Sequence, residues 1–275
     1  MAVKTKTKDG DDVIQIKKIE PDTITVHLLG ASPMIMHRFA FKAWQELLLP
    51  AAKKNAAAKA ESLKHDPLNE FRECCYRNRS ESEPTALHYP AGAFSKALAA
   101  AALDLPGATK AQILRLVGVV STQINIYGVP TLGMDMVRSS DMARTPDVRT
   151  RAYLPEWACK VEISYIRSLI GAEQIVNLMD AAGLIVGIGD YRPQKGGQYG
   201  RFSVVDAKDK NFVRLVSTEG RAAQEAALQN PAFFNEDSAE LYQWFVEETA
   251  RREKVVPSAK GNGKPKAQDL EVPVQ

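Results

Sequence analysis

The sequence predicts an α+β chain with a ferredoxin-like (RRM-like) core, large insertions and a C-terminal helical segment. Three observations point there. Apolar–polar alternation and β-branched content mark strands over 23–29, 123–127, 157–166 and 201–205. Helical stretches over 91–105 and 172–182 fall between the first and second strands and between the third and fourth. The resulting order, β-α-β-β-α-β, is that of a split βαβ sheet. At 275 residues and 45% hydrophobic, the chain is long enough to bury a large core.

Residues 1–20 are polar and mixed in charge and read as a flexible arm. Thr23 to Leu29 alternates and forms the first strand, closed by Gly30-Ala31-Ser32-Pro33. Met34 to Phe39 is an apolar run with a basic finish, His37-Arg38. From Phe41 to Leu63, the spacing of Phe41, Trp44, Leu48 and Ala52 predicts one helical face, stopped by His65-Asp66-Pro67. Residues 68–86 read as irregular, and Leu87 to Pro90 as short and extended. Ala91 to Leu105 is rich in Ala, the best helix former, and Pro106-Gly107 ends it.

Lys110 to Val117 adds another helical turn or two. Two strands follow, 123–127 and 131–137, around the turn Gly128-Val129-Pro130. Arg138 to Arg151 carries four arginines against two aspartates with little apolar content, and is expected to project from the core. Glu156 to Ile166 alternates as a half-buried strand, and Ala172 to Ala182 puts Ile175, Leu178, Met179 and Ala182 on one helical face. Asn211 to Ser217 reads as a strand, and 218–228 and 237–252 as helices, the latter capped by Asp237 or Ser238. The expected organisation is an arm at 1–20 and a core at 21–216 with insertions at 31–86 and 131–156. C-terminal helices at 217–254 and a disordered Pro-, Gly- and Lys-rich tail at 255–275 complete it.

The chain is organised around Gly183 to Asp206. This stretch holds six glycines, the cations Arg192, Lys195 and Arg201, and the tyrosines Tyr191 and Tyr199. Glycine lets backbone approach a ligand closely, cations attract phosphate, and aromatic faces accept stacked bases. The plainer alternative is a surface hairpin with a charged tip. The net charge of +3 is too small to signal a polyanion partner alone, so local clustering must decide.

Cys74, Cys75 and Cys159 have no metal-ligand spacing, and their odd number suits reduced thiols in a cytoplasmic setting. The N-terminus has no signal-peptide core, and no run of 18 apolar residues exists, so no membrane partner is expected. His27 and His88 stand in no nucleophile motif, and Asp135 and Asp141 in no metal pattern. Gly187-Ile188-Gly189 follows a helix and leads to a strand, the reverse of a dinucleotide fingerprint. No enzyme activity, cofactor or metal is therefore expected.

Three places resemble the repeat-associated mysterious protein (RAMP) superfamily, which includes the backbone subunits of CRISPR effector complexes. Gly30-Ala31-Ser32-Pro33-Met34 after the first strand is similar to the family's opening turn. Tyr89 to Leu98 resembles its "IPGSSLKGALR" helix start, with Ala97 where Gly is frequent and Ala99 where Arg is common. Gly187 to Phe202 looks like its C-terminal glycine-rich loop, more widely spaced than usual. The resemblance spans about residues 23–206 and implies a backbone-type subunit, or a mobile-element relative, rather than a processing nuclease. It also implies copies of the chain side by side along a strand, other effector-complex subunits as partners, and an insertion that folds over the strand as a thumb.

The candidate interface residues fall in four groups. They are Tyr191, Arg192, Lys195, Tyr199 and Arg201 in the glycine stretch; Arg138, Arg144, Arg149 and Arg151 in the second insertion; His37, Arg38 and Lys42 after the first strand; and Ser95 and Lys96 at a helix start, where backbone N–H groups favour anions. Together they point to a non-catalytic binder of single-stranded nucleic acid, RNA first, that assembles along its ligand. A scaffold protein using Trp244 and Phe245 as a docking face, and a metal-dependent nuclease, are the alternatives.

Overall fold

A computed structural model describes residues 18–39, 44–45, 48–49, 65–138, 142 and 144–255. The strands are β1 (Pro21–Gly30), β2 (Met34–Met36), β3 (His88–Pro90), β4 (Val117–Val119), β5 (Gln123–Tyr127), β6 (Thr131–Arg138), β7 (Pro146–Leu154), β8 (Ala158–Ile166) and β9 (Phe202–Val205). The helices are α1 (Pro67–Glu73), α2 (Ala91–Ala101), α3 (Lys110–Leu116), α4 (Ala172–Ile185), α5 (Lys210–Thr218), α6 (Arg221–Gln229) and α7 (Glu236–Val255). The architecture is mixed helix and strand, with two antiparallel sheets.

The central sheet runs β3-β5-β8-β1-β9, with β4 also paired to β8. The pairing of β1 with β8, from Pro21↔Ile166 to Leu29↔Ala158, sets which side chains share a face. Val26, Leu28, Val161 and Ile163 face α2 and α4 and form the main core with Phe94, Leu98, Ile175 and Met179. The alanines of α2 let it lie close to this layer: Ala97, Ala99, Ala100 and Ala101 are all buried. Half of the opposite face is covered by α5, whose Phe212 and Leu215 pack on Ala158, while Phe212 meets the His27 ring edge-on at 5.1 Å. The remainder of that face presents Thr23, Thr25, Lys160 and Glu162 to solvent.

Trp157 locks the junction between β1, β8 and β9. It is fully buried, donates from Nε1 to Ser32 O at 2.9 Å, and stands edge-on to Phe202 at 6.1 Å. Gly30 runs beneath the indole, where any Cβ would overlap the ring. Burying two such rings contributes on the order of 2–3 kcal/mol each.

The second sheet, β2-β7-β6, stands beside the first. β6 and β7 form a long hairpin, in register from Thr131↔Tyr153 to Arg138↔Pro146. Its outer edge is covered by 232–234, through Leu132 N→Ala232 O and Phe234 N→Leu132 O, both 2.9 Å. α7 then packs on β6.

Several sequence expectations are corrected. The projecting loop expected over 138–151 is corrected for its second half: 146–154 is a strand, and Arg151 within it is buried, while 139–141 and 143 lie outside the described residues. Its outward side chains are polar or charged, which hid the alternation. Asn211 to Ser217 is helical because Asp209 caps it, accepting from Asn211 N and Phe212 N, and because Phe212 and Leu215 share one face at i, i+3. Within 68–86, thought irregular, α1 is capped by Asp66 and stacks Phe71 into the core. The helix from Ala91 ends at Ala101 rather than Leu105. Asn235, not Asp237 or Ser238, caps α7; Ser238 is buried and accepts instead from Met134 N. The helix expected over 41–63 lies largely outside the described residues, as do the expected arm up to residue 17 and the tail from 256.

Candidate nucleic-acid interface

The glycine stretch leaves α4 and returns to β9 by folding on the segment that contains β2. Gly200 N donates to Pro33 O (2.7 Å), Asp190 N to Ile35 O (3.0 Å) and Ile188 N to Gly200 O (2.9 Å). Gly200 has φ +70°, and a Cβ there would overlap Ile188 O, so both the turn and the contact require glycine. A short 3-10 turn, Pro193–Lys195, carries the cations outward. Tyr191 is left-handed at φ 47° without being glycine, a conformation held here by the loop's own hydrogen bonds, and the residue is 54% exposed.

Asp190 joins this loop to the hairpin. Its Oδ2 lies 3.1 Å from His37 Nδ1 and 3.4 Å from Arg151 Nη1, and its Oδ1 accepts from Tyr191 N at 3.0 Å. The His37 hydrogen bond, opposed by burial and aided by Arg151 and the Tyr191 amide, holds its carboxyl down at about 2. Arg151 is thus committed to an internal ion pair.

Beside this cluster runs a line of rings. Tyr191 meets Tyr199 at 6.2 Å, Tyr199 meets Tyr153 edge-on at 5.6 Å, and Tyr153 stacks on Phe234 at 4.1 Å. Gly133, paired with Arg151 across the hairpin, leaves room for the Tyr153 ring. The Tyr153 hydroxyl donates to Asp135 Oδ2, and burial together with that carboxylate keeps the phenol protonated far above its ordinary range.

On the other side of the loop, a cavity of about 310 Å³ opens between it and the start of α2. Tyr76, Tyr89, Lys96, Gly189, Arg192 and Gln194 are among its walls. The helix start is capped by Pro90, which offers no side-chain acceptor to the first-turn N–H groups. Burial raises the Tyr89 phenol above its ordinary value. Arg192 is held by neutral partners, Gly189 O and Gln194 Oε1, both at 3.1 Å, so its charge is not cancelled.

A second hollow, of about 240 Å³, lies at the base of the hairpin and includes His37, Arg38, His65, Arg149 and Thr150. Among the described residues no carboxylate pairs with Arg38, Arg149, Arg192, Lys96 or Lys195.

The structure therefore brings His37, Arg38, Lys96, Arg149, Arg151, Tyr191, Arg192 and Tyr199 into one continuous region around the loop. Lys195 is exposed on the same loop, and Arg201, at its end, has a buried Nε without a partner. Ser95 sits on α2 outside the cavity walls. Arg138 is at the far end of the hairpin, seven residues or about 23 Å along β6 from Thr131, and Arg144 lies beyond that end. Lys42 lies outside the described residues. Sequence reasoning missed Asp190, Tyr76, Tyr153 and Phe234 as members of this region; for Tyr153 the signal was the alternation Asp147, Arg149, Arg151, Tyr153 along one face of β7. Among the described residues no cluster of His, Cys, Asp and Glu could hold a metal ion, and no helix is long and apolar enough to cross a membrane.

No family model matches the chain, and no curated protein matches it. Among solved structures, the crystal structure of Cmr6 from Pyrococcus furiosus is similar at 12% identity, over 68% of this chain and 100% of that chain, with a TM-score of 0.30.

Proposed function

We propose that this protein is a non-catalytic, single-stranded RNA-binding subunit of RAMP type, built on a ferredoxin-like core, that assembles in copies along its strand. The observation that carries the reading is the meeting of uncancelled cations with the exposed Tyr191 and the half-buried Tyr199 around one glycine-rich loop. Arg192, Lys195 and Lys96 supply phosphate contacts; Tyr191 and Tyr199 supply faces on which bases stack, a contribution of about 1–3 kcal/mol per base. The strand order β5-β8-β1-β9, with α2 and α4 on one face, supports the ferredoxin-like core.

The exposed part of the sheet offers no platform of the RRM kind. It carries threonines, Lys160 and Glu162 rather than rings, and α5 covers the rest. The strand instead follows the loop, between the cavity at α2 and the rings beside the hairpin. A few contacts per copy bind weakly, and repetition along a strand supplies affinity.

Titration of labelled single-stranded RNA and DNA at several salt concentrations tests this. Binding is expected to weaken with salt, and the double substitution Arg192→Ala, Lys195→Ala to lower the slope of log affinity against log salt by about 0.7 per lost contact for all sequences alike. Absence of binding at low salt, or binding indifferent to salt, overturns the reading.

A further inference from the structure

We propose that the cavity between the glycine-rich loop and the start of α2 seats one base of the strand, and that it takes uracil or guanine in preference to cytosine or adenine. This rests on the RNA-binding reading and deepens it, adding to phosphate contacts that are blind to sequence one position that is not. The aromatic wall, one glycine and the hydrogen-bonding groups at the rim carry it.

The wall is a corner of two rings. Tyr76 and Tyr89 stand 5.3 Å apart at 74°. A planar ligand laid on one therefore meets the other edge-on, and both geometries are favoured between aromatic rings. Tyr89 is also edge-on to Phe94 at 6.5 Å and hydrogen-bonded to the Gly189 backbone, which fixes its ring between core and loop. Ala93, Ala97, Val186 and Ile188 supply apolar surface beside the rings. At about 310 Å³ the space is at the lower end of ligand pockets and suits a base with its ribose.

Gly92 lies in the first turn of α2 and in the same wall. Glycine is the poorest helix former after proline. Elsewhere packing demands it: a Cβ at Gly183 would overlap Phe202 O, and one at Gly197 would overlap Tyr191 O. At Gly92 the backbone is helical and a Cβ meets nothing within 4 Å. Neither a turn nor the core accounts for this glycine. The cavity does, because a long side chain there would occupy it.

The side-chain groups left at the rim are donors. Gly189 O and Gln194 Oε1 both accept from Arg192 at 3.1 Å. Among the described residues no hydrogen bond uses Gln194 Nε2, and no carboxylate pairs with Lys96. The Gln194 amide N–H groups and the Lys96 ammonium therefore face the ligand as donors. They match the carbonyl oxygens of uracil O4 and guanine O6. The exocyclic amines that cytosine and adenine carry instead find no free side-chain acceptor there.

In the first arm of the test, affinity for oligo-U and oligo-C of equal length is measured against potassium chloride concentration for the full chain, Gly92→Met and Gln194→Ala. The wild-type chain is expected to bind oligo-U about tenfold more tightly, with the same salt slope for both. Gly92→Met improves the helix, so its unfolding temperature is expected to hold or rise. It is expected to weaken oligo-U binding about tenfold with the slope unchanged, because a stacked base is lost and no phosphate contact. Gln194→Ala is expected to bring the two oligonucleotides within about twofold. In the second arm, uridine monophosphate is expected to show saturation-transfer NMR signals at its base protons with the wild-type chain and none with Gly92→Met.

Salt-dependent RNA binding that is equal for U and C and unchanged by Gly92→Met overturns the base pocket and leaves the loop reading standing. A loss on Gly92→Met without a preference for U overturns the choice of base. No RNA binding, with a uridine monophosphate signal that Gly92→Met removes, supports the pocket and overturns the strand reading. Absence of both overturns both.

Discussion

The glycine-rich loop and the β6–β7 hairpin meet at Asp190 but are held in opposite ways. The loop is fixed mainly by backbone hydrogen bonds to Pro33 and Ile35 and by glycines that side chains cannot replace, and of its cations Arg192 bonds only neutral groups, Gly189 O and Gln194 Oε1. The hairpin is fixed by its side chains: Arg151 pairs with Asp190, Tyr153 bonds Asp135 and stacks on Phe234, and Ser238 holds its edge from α7. In the loop, polar side chains are available to a ligand because the main chain does the folding. In the hairpin, several polar side chains are consumed by folding, and only those pointing away, Arg149 among them, remain for binding.

The sharpest way to break this contrast is Gly200→Ala. The new Cβ would meet Ile188 O in a left-handed turn, and the expected loss is about 2–4 kcal/mol in denaturant unfolding. A loss near zero would mean that the loop's backbone is not what fixes it.

The same contrast explains how much of the molecule was legible. The central strands and α2 were readable because burial on one face imposes a period on the sequence. The loop was readable because a main chain that must turn and pack without side chains leaves glycines behind. Arg151 and Tyr153 were not, since a polar hairpin face packed against a polar loop has no hydrophobic signature. Asp190 was not legible as the joint because its partners, His37 and Arg151, are distant in sequence. The strand expected over Asn211 to Ser217 failed for a local reason: the Asp209 cap and an i, i+3 pair outweigh a short apolar run.

A smaller effect is expected at the joint itself. The Asp190 carboxyl, lowered from 3.8 to about 2, stabilises the fold above its ordinary value, and that contribution is lost as pH falls through about 2. Asp190→Asn should therefore cost about 1 kcal/mol near neutrality, a modest figure because the group is partly exposed and screened. Unfolding measured across pH should show the two proteins converging below about 2. A gap that persists in acid would assign the effect to shape rather than charge.

The smallest effect is expected at the hairpin tip. Arg138 is exposed on β6, about 23 Å from the loop end of the strand, and Arg144 has interactions of its own. Neither packs in the core, so Arg138→Ala/Arg144→Ala should leave the unfolding midpoint unchanged. If the strand is bound mainly at the loop, the salt slope of RNA binding should fall by less than half the change produced by Arg192→Ala/Lys195→Ala. If the two double variants shift the slope equally, the hairpin closes over the strand along its whole length, and the tip arginines are phosphate ligands on a par with the loop. The two results separate a hairpin that buttresses the loop from one that clamps the strand, and the comparison needs only the two variants titrated side by side.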